Sequence, residues 1–349
     1  MPSDLKQLLR NCFGPLYEPV RDYVYGPASG IIAGFMQPEH SLYWLYLVSA
    51  AVIALFIYLA QGGRYERLSP SGFIRFLLPK AVFAHKSAVI DYKFYVVNPF
   101  VYKIITGGAV FGSVAMASNV RSLLQSSFGD GPQWEMTAAS SVVYTILAVA
   151  AHDLGVTMGH FFEHKIPFFW EFHKVHHSAE ALTPFTNYRA HPIDKTLEMF
   201  LALFFVGALG GTFQYLYPGG VTQVTIINVS VMFFVYNLIA NLRHSHIWLS
   251  YGWFINHIIS SPAMHQLHHS SEERHFDKNY ALVFSFWDYL AGTLYVPREK
   301  EEFKFGLSNQ EHLAYNSVSS LYLTPIKKAA ALFGRSRSTP SANVSKLWR

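Results

Sequence analysis

The sequence reads as an all-α protein: a polytopic, integral-membrane helical bundle of about five spans with a cytoplasmic, histidine-rich helical cap. Three observations lead there. Of 349 residues, 51% are hydrophobic and only 14% charged, whereas a soluble domain carries about a quarter charged residues. Uncharged stretches of bilayer length recur along the chain. Histidines gather in two regions at spacings that suit helices.

The first span is expected over residues 42–60, an uncharged run that Gln61-Gly62-Gly63-Arg64 ends. A weaker second span covers about 100–117, with Lys103 near one end, where a lysine can snorkel to the interface. A third runs over about 138–158 and stops at the first histidines. The fourth and fifth, about 197–216 and 221–242, form a hairpin turned at Tyr217-Pro218-Gly219-Gly220. Residues 280–295 are apolar and aromatic but short, with Asp288 inside, and suggest a buried or interfacial helix rather than a span. Beyond about 334 the chain is Ser-rich and basic, the composition of a disordered tail. The expected domains are an N-terminal membrane region with two spans (1–137), a catalytic region (138–297) and a C-terminal cytoplasmic extension (298–349).

Lys and Arg set the orientation. The stretch 62–98 holds Arg64, Arg67, Arg75, Lys80, Lys86 and Lys93, whereas 118–137 holds Arg121 alone. Basic residues also follow the third span (Lys165, Lys174, Arg189, Lys195) and the fifth. Five spans with the N-terminus outside put the histidine regions and the C-terminus in the cytoplasm. The net charge of +5 then faces anionic lipid, not nucleic acid. A single cysteine, Cys12, excludes an intrachain disulfide, a four-cysteine zinc site and a cysteine-held iron–sulfur cluster. Residues 1–30 show charges and no long apolar run, so no cleavable signal peptide is expected. No G-x-G-x-x-G fingerprint, P-loop or H-P-G-G haem motif occurs.

The chemistry concentrates in the histidines. His160 and His164 lie one helical turn apart, and His173, His176 and His177 follow Pro167 as H-x-x-H-H. The same spacing returns after Pro262 as His265, His268 and His269. Eight imidazoles exceed the three or four ligands that one zinc takes, so the count points to two metals, with the two H-x-x-H-H helices closing a dinuclear centre over the third span. On each helix, one metal would take the first histidine while the last two splay toward neighbouring metals. His160-Phe161-Phe162-Glu163-His164 also fits the H-x-x-E-H pattern of inverted zinc proteases, a reading that leaves six histidines without a role. Asp153, Glu163, Glu171, Glu272, Asp277 and Asp288 are candidates to hold free imidazole nitrogens. Asp153 and Asp288 stand out, because an unpaired charge in apolar surroundings is costly. His152 lies two turns before His160, rotated about 80°, which suits a supporting role. His40, His85, His275 and His312 look like surface histidines. A membrane metal transporter is the main rival reading, but its histidines would favour mid-span positions.

The residues from Asp153 to His177, then Thr186-Asn187-Tyr188-Arg189-Ala190-His191-Pro192, Arg243-His244-Ser245-His246, Ser261-Pro262-Ala263-Met264-His265-Gln266-Leu267-His268-His269, and Asp277-Lys278-Asn279-Tyr280 with Trp287-Asp288 and Gly292-Thr293 resemble the fatty acid hydroxylase/sterol desaturase superfamily. The resemblance covers about 140–297. It implies a membrane-bound di-iron enzyme that uses O2 to hydroxylate or desaturate a lipid, fed electrons by a separate reductase. It implies His160, His164, His173, His176, His177, His265, His268 and His269 as metal ligands and adds His244. Phe161 stands where arginine is common and His246 where asparagine is common. His191, His246 and His152, with Asp153 and Asp288, are further candidates for ligation or support.

Overall fold

A computed structural model of the chain describes residues 31–335 apart from 33, 39, 63–67, 107–108 and 227–228. Among the described residues nearly all regular structure is helical. Two helices are long and apolar enough to cross a membrane: α6 and α8 in the order α1 (Trp44–Ala60), α2 (Pro70–Leu77), α3 (Lys80–Phe83), α4 (Lys86–Thr106), α5 (Ala109–Phe128), α6 (Ala138–Lys165), α7 (Pro167–His177), α8 (Pro192–Leu216), α9 (Val231–Ala240), α10 (Trp253–Asn256), α11 (Pro262–His268), α12 (Phe286–Ala291) and α13 (Val318–Arg335). At 28 and 25 residues, α6 and α8 rise about 42 Å and about 37 Å. Helix α1 is a largely apolar helix of 17 residues, about 25 Å long, and exposes Val48, Val52, Phe56 and Leu59.

Glycines let these helices touch backbone to backbone. A Cβ on Gly155 of α6 would lie 2.5 Å from the Cα of Ala202, and one on Gly159 2.9 Å from the Cα of Glu198. The second and third turns of α8 therefore sit directly against the part of α6 that leads into His160 and His164. Tyr144 and Phe213 close the far end of the same pair. Thr137 starts α6 with a reciprocal capping box to Ser140.

Three expected elements differ. Residues 100–117 do not form one helix: α4 ends at Thr106 and α5 begins at Ala109. Gly107-Gly108 stand between them, outside the described residues, and glycine disfavours a helix interior. The stretch 221–242 is not one span either. It pairs β1 (Thr225–Ile226) with β2 (Val229–Ser230), Thr225 opposite Ser230, before the 10-residue α9. A β-branched run, Val221-Thr222-Gln223-Val224-Thr225-Ile226, favours extended backbone, and Val224 N–H donates to Thr145 Oγ1 at 2.8 Å. Within 280–295 only Phe286–Ala291 is helical, ended by Gly292 at φ +73°.

The chain beyond 297 is not an appendage. Leu307, Tyr315 and Leu321 pack with Val175 of α7 and Phe94 of α4 in one buried cluster. Lys174 of α7 donates to Glu311 at 2.9 Å. The expected disordered tail lies outside the described residues after Arg335, as do Cys12, Arg64 and Arg67.

Candidate metal centre

Two prolines aim the histidines. Ile166 leaves the helix (φ −98°, ψ 114°) and Pro167 begins α7, because proline suits a first helical turn but no interior. The chain doubles back, and His173 and His177 face His160 and His164. Pro262 starts α11 in the same way. His244 reaches in from the turn after α9.

The nine histidines form two buried groups. One holds His160, His164, His173, His177 and His268; the other holds His176, His244, His265 and His269. Within each, the candidate ligand nitrogens lie within 4.8 Å of one another. In the second group the Nε2 atoms are 3.0 Å (His265–His244), 3.2 Å (His269–His265), 3.2 Å (His244–His176) and 3.3 Å (His244–His269) apart. Nitrogens bound tetrahedrally at about 2.0–2.1 Å would be about 3.4 Å apart. The grouping differs from the expected splay: His177 stays with His173, and His176 alone crosses to the second group. On α11 the pattern inverts: His265 and His269 stay in the second group while His268 crosses to the first.

The opposite ring nitrogens of four of these histidines are committed elsewhere. His160 Nδ1 donates to the Tyr280 carbonyl at 2.8 Å, His268 Nδ1 to the Lys278 carbonyl at 2.7 Å, and His176 Nδ1 to the Arg189 carbonyl at 3.2 Å. A carbonyl can only accept, so each Nδ1 carries the proton and each Nε2 presents a lone pair. His173 Nδ1 meets Asp194 Oδ1 at 2.8 Å and Glu163 Oε2 at 3.2 Å. Burial holds His268 down at about 4 and His244 at about 3, so these rings stay neutral near pH 7. The buried Nε2 atoms of His160, His164 and His268 have no protein partner. Converging lone pairs repel one another, and a cation between them removes the repulsion. The donor set therefore fits metal ions, and imidazole suits iron, zinc and copper.

Carboxylates back this neutral shell. Glu163, His173 and Asp194 form a buried trio, beside which Lys195 pairs with Glu198. Asp194 was not among the sequence candidates. Its signal was an acid in the first turn of an apolar helix, the same cost argument that singled out Asp153. Glu163 lies behind His173, and His160 and His164 share their group with three further histidines. That geometry removes the open fourth position an inverted zinc protease needs.

The other candidates stand outside the two groups. Asp153 accepts from the backbone N–H of Val283 and Phe284, each at 2.8 Å. Asp288 accepts from Tyr280 N–H at 2.8 Å, Ala281 N–H at 2.9 Å and Thr293 Oγ1 at 2.7 Å. Both carboxylates fix the irregular strand whose Tyr280 carbonyl holds His160. Asp277 lies 3.8 Å from His164 Nδ1 and pairs with Lys165. Glu171 and Glu272 pair with Lys174 and Arg274 instead. His191 caps α8, its Nδ1 accepting from Ile193 N–H at 3.2 Å. His246 Nε2 donates to the Phe76 carbonyl at 2.7 Å, and His152 sits on α6 apart from both groups. His275 is not a surface residue: it is buried and 3.1 Å from Glu301.

Cavities reach the centre from two sides. An inner cavity of about 160 Å³ touches His160, His173, His176, His244 and His265, hence both groups. An opposite one of about 300 Å³ touches His164, His177 and His268 beside Asp277 and Glu311.

The fatty acid hydroxylase family model matches residues 145–293. Among curated relatives, the chain is similar to ornithine lipid hydroxylase OlsE of Rhizobium tropici, 26% identical over 51% of this chain and 48% of that protein. It is similar to alkylglycerol monooxygenase of Danio rerio, 28% identical over 47% and 32%. Cholesterol 25-hydroxylase of Rattus norvegicus is 24% identical over 43% and 46%. The chain spans about half or less of the length of these relatives. No solved structure matches it. The stretch matched by the fatty acid hydroxylase family model, residues 145–293, contains all nine histidines of the two groups, so the similarity and the candidate centre lie on the same part of the chain.

Proposed function

We propose that the protein is a membrane-bound, O2-dependent di-iron oxidoreductase that hydroxylates a lipid, with desaturation as the alternative outcome on the same scaffold. The observation that carries this reading is the convergence of nine imidazoles into two groups, with the outer nitrogens of His160, His176 and His268 tied to carbonyls and that of His173 to carboxylates. Two irons held there would supply the O2 chemistry needed at an unactivated C–H bond. His160, His164, His173, His177 and His268 would hold one, and His176, His244, His265 and His269 the other. Tyr280, Lys278 and Arg189 fix ring orientation through their carbonyls, and the Glu163–Asp194 pair offsets metal charge. Electrons would come from a separate reductase. The names of the relatives favour a lipid substrate, and the apolar helices a membrane setting.

The purified protein is expected to hold about two irons per chain and to convert a lipid only when O2 and a reductant are present. Metal analysis with lipid mass spectrometry checks both. A stoichiometry near one that iron supplementation leaves unchanged, with no O2-dependent product, would sink the reading.

We further propose a multi-pass protein with the site on the cytoplasmic face, from the loop asymmetry of Lys and Arg. A reporter active only in the cytoplasm should give signal when fused after Arg349. Silence there, with signal from a fusion within 118–137, would invert the orientation.

A further inference from the structure

A third cavity, of about 400 Å³, lies beside the inner one, within the roughly 300–1,000 Å³ typical of ligand pockets. Its exposed wall area is mostly apolar, from Tyr95 and Pro99 of α4 and Tyr188 and Ala190 of the turn before α8, with His40 and Asn98 also on the wall. Asn187 and Lys195 line both cavities, so these two side chains form a waist between them. The inner cavity is different in character. Away from the histidines it presents Ser41, Asn187, Asn237 and Asn241, with the Lys195–Glu198 pair.

Polarity therefore rises from the outer cavity toward the histidines, the reverse of a site in which the far end of a hydrocarbon chain meets the metals. α4 and α8, which both contribute to this cavity, also expose the apolar side chains Val96, Val97, Phe200 and Phe204. The opposite cavity carries Asp277 and Glu311 on its wall, and desolvating carboxylates against an alkyl chain is costly.

We propose that the substrate is a long-chain amphiphile lying with its hydrocarbon in the outer cavity. Its polar end and the adjoining carbons pass the Asn187–Lys195 waist into the inner cavity. Oxidation then falls at a carbon close to the polar end. This rests on the histidine groups being the oxidising centre.

The test uses the full chain in membranes and two photoreactive alkylglycerols, one with a diazirine beside the glycerol and one with it at the chain terminus. Labelled peptides are mapped by mass spectrometry without reductant. The glycerol-side probe should label the segments around Asn187–Lys195 or Asn237–His244, and the terminal probe should label α4 around Tyr95–Pro99. Excess unlabelled alkylglycerol should abolish both. Reversed positions, labelling of both probes around Phe276 or Leu307, or labelling that the competitor leaves unchanged would each overturn the proposal. Labelling requires no turnover, so its failure is told apart from failure of the oxygenase reading, which product formation scores.

Discussion

Replacing His176 or His268 by alanine is expected to reduce product formation to background while the protein still inserts in the membrane. The two residues test different groups. His176 leaves His244, His265 and His269 with one imidazole fewer, and His268 is the α11 histidine that crosses to the other four. Each also anchors through Nδ1 to a backbone carbonyl, so the neighbouring segment loses a tie as well. Iron per chain should fall with activity, which separates loss of metal from loss of fold. His191→Ala and His246→Ala should fall between these and the parent, because they act through packing. His191 caps the helix that carries Asp194, and losing a cap costs about 1 kcal/mol. His257, whose Nδ1 bonds within its own turn to the Trp253 carbonyl, should tolerate alanine with near-normal turnover. Full activity in both His176→Ala and His268→Ala would falsify the dinuclear assignment.

The largest loss of stability is expected at Arg189. Its guanidinium is fully buried. It donates to Asp91 at 2.8 Å, the Val175 carbonyl at 2.9 Å, Ser178 Oγ at 2.8 Å, Ser87 Oγ at 3.2 Å and the Tyr315 carbonyl at 3.2 Å. One side chain thus joins α4, α7 and the segment before α13, while its own carbonyl holds His176. Arg189→Met leaves Asp91 buried without its cation, which typically costs 3–5 kcal/mol, a large share of the roughly 5–15 kcal/mol that a domain has. Arg189→Lys should rescue little, since an ammonium cannot reproduce the guanidinium fork. Removing both charges, as Arg189→Met with Asp91→Leu, should cost less than the single change. Thermal unfolding in detergent measures all three. A single variant as stable as the parent, or a double variant worse than the single, would show that the network does not bear on stability.

The sequence made the helices and the histidines legible where the signal was local. Pro167 and Pro262 each marked the start of a helix, and both helices carry histidines at the same H-x-x-H-H spacing. The turn at 217–220 was also readable, with Gly220 N–H bonded to the Tyr217 carbonyl. Apolar composition was a poorer guide. The run at 221–242 is hydrophobic enough for a span, yet β-branched residues and a bond to Thr145 draw its first half into a strand pair. His275 looked like a surface residue because nothing near it in sequence reveals Glu301.

The sequence by itself determined the donor types on offer: with one cysteine in the chain, repeated H-x-x-H-H groups make imidazole the main candidate ligand. It also fixed the pairing of histidines four apart, since a helix turns about 400° over four residues and returns them to nearly one direction. Only the tertiary structure decided which histidine serves which group. The residue three positions on lies about 100° from the one four on, so His176 and His268 can cross between groups only because α7 and α11, nearly ninety residues apart in the chain, meet face to face. The same holds for Asp194 and Glu163. Their contact depends on the glycines that bring α6 and α8 within backbone distance, a long-range approach that no local spacing encodes.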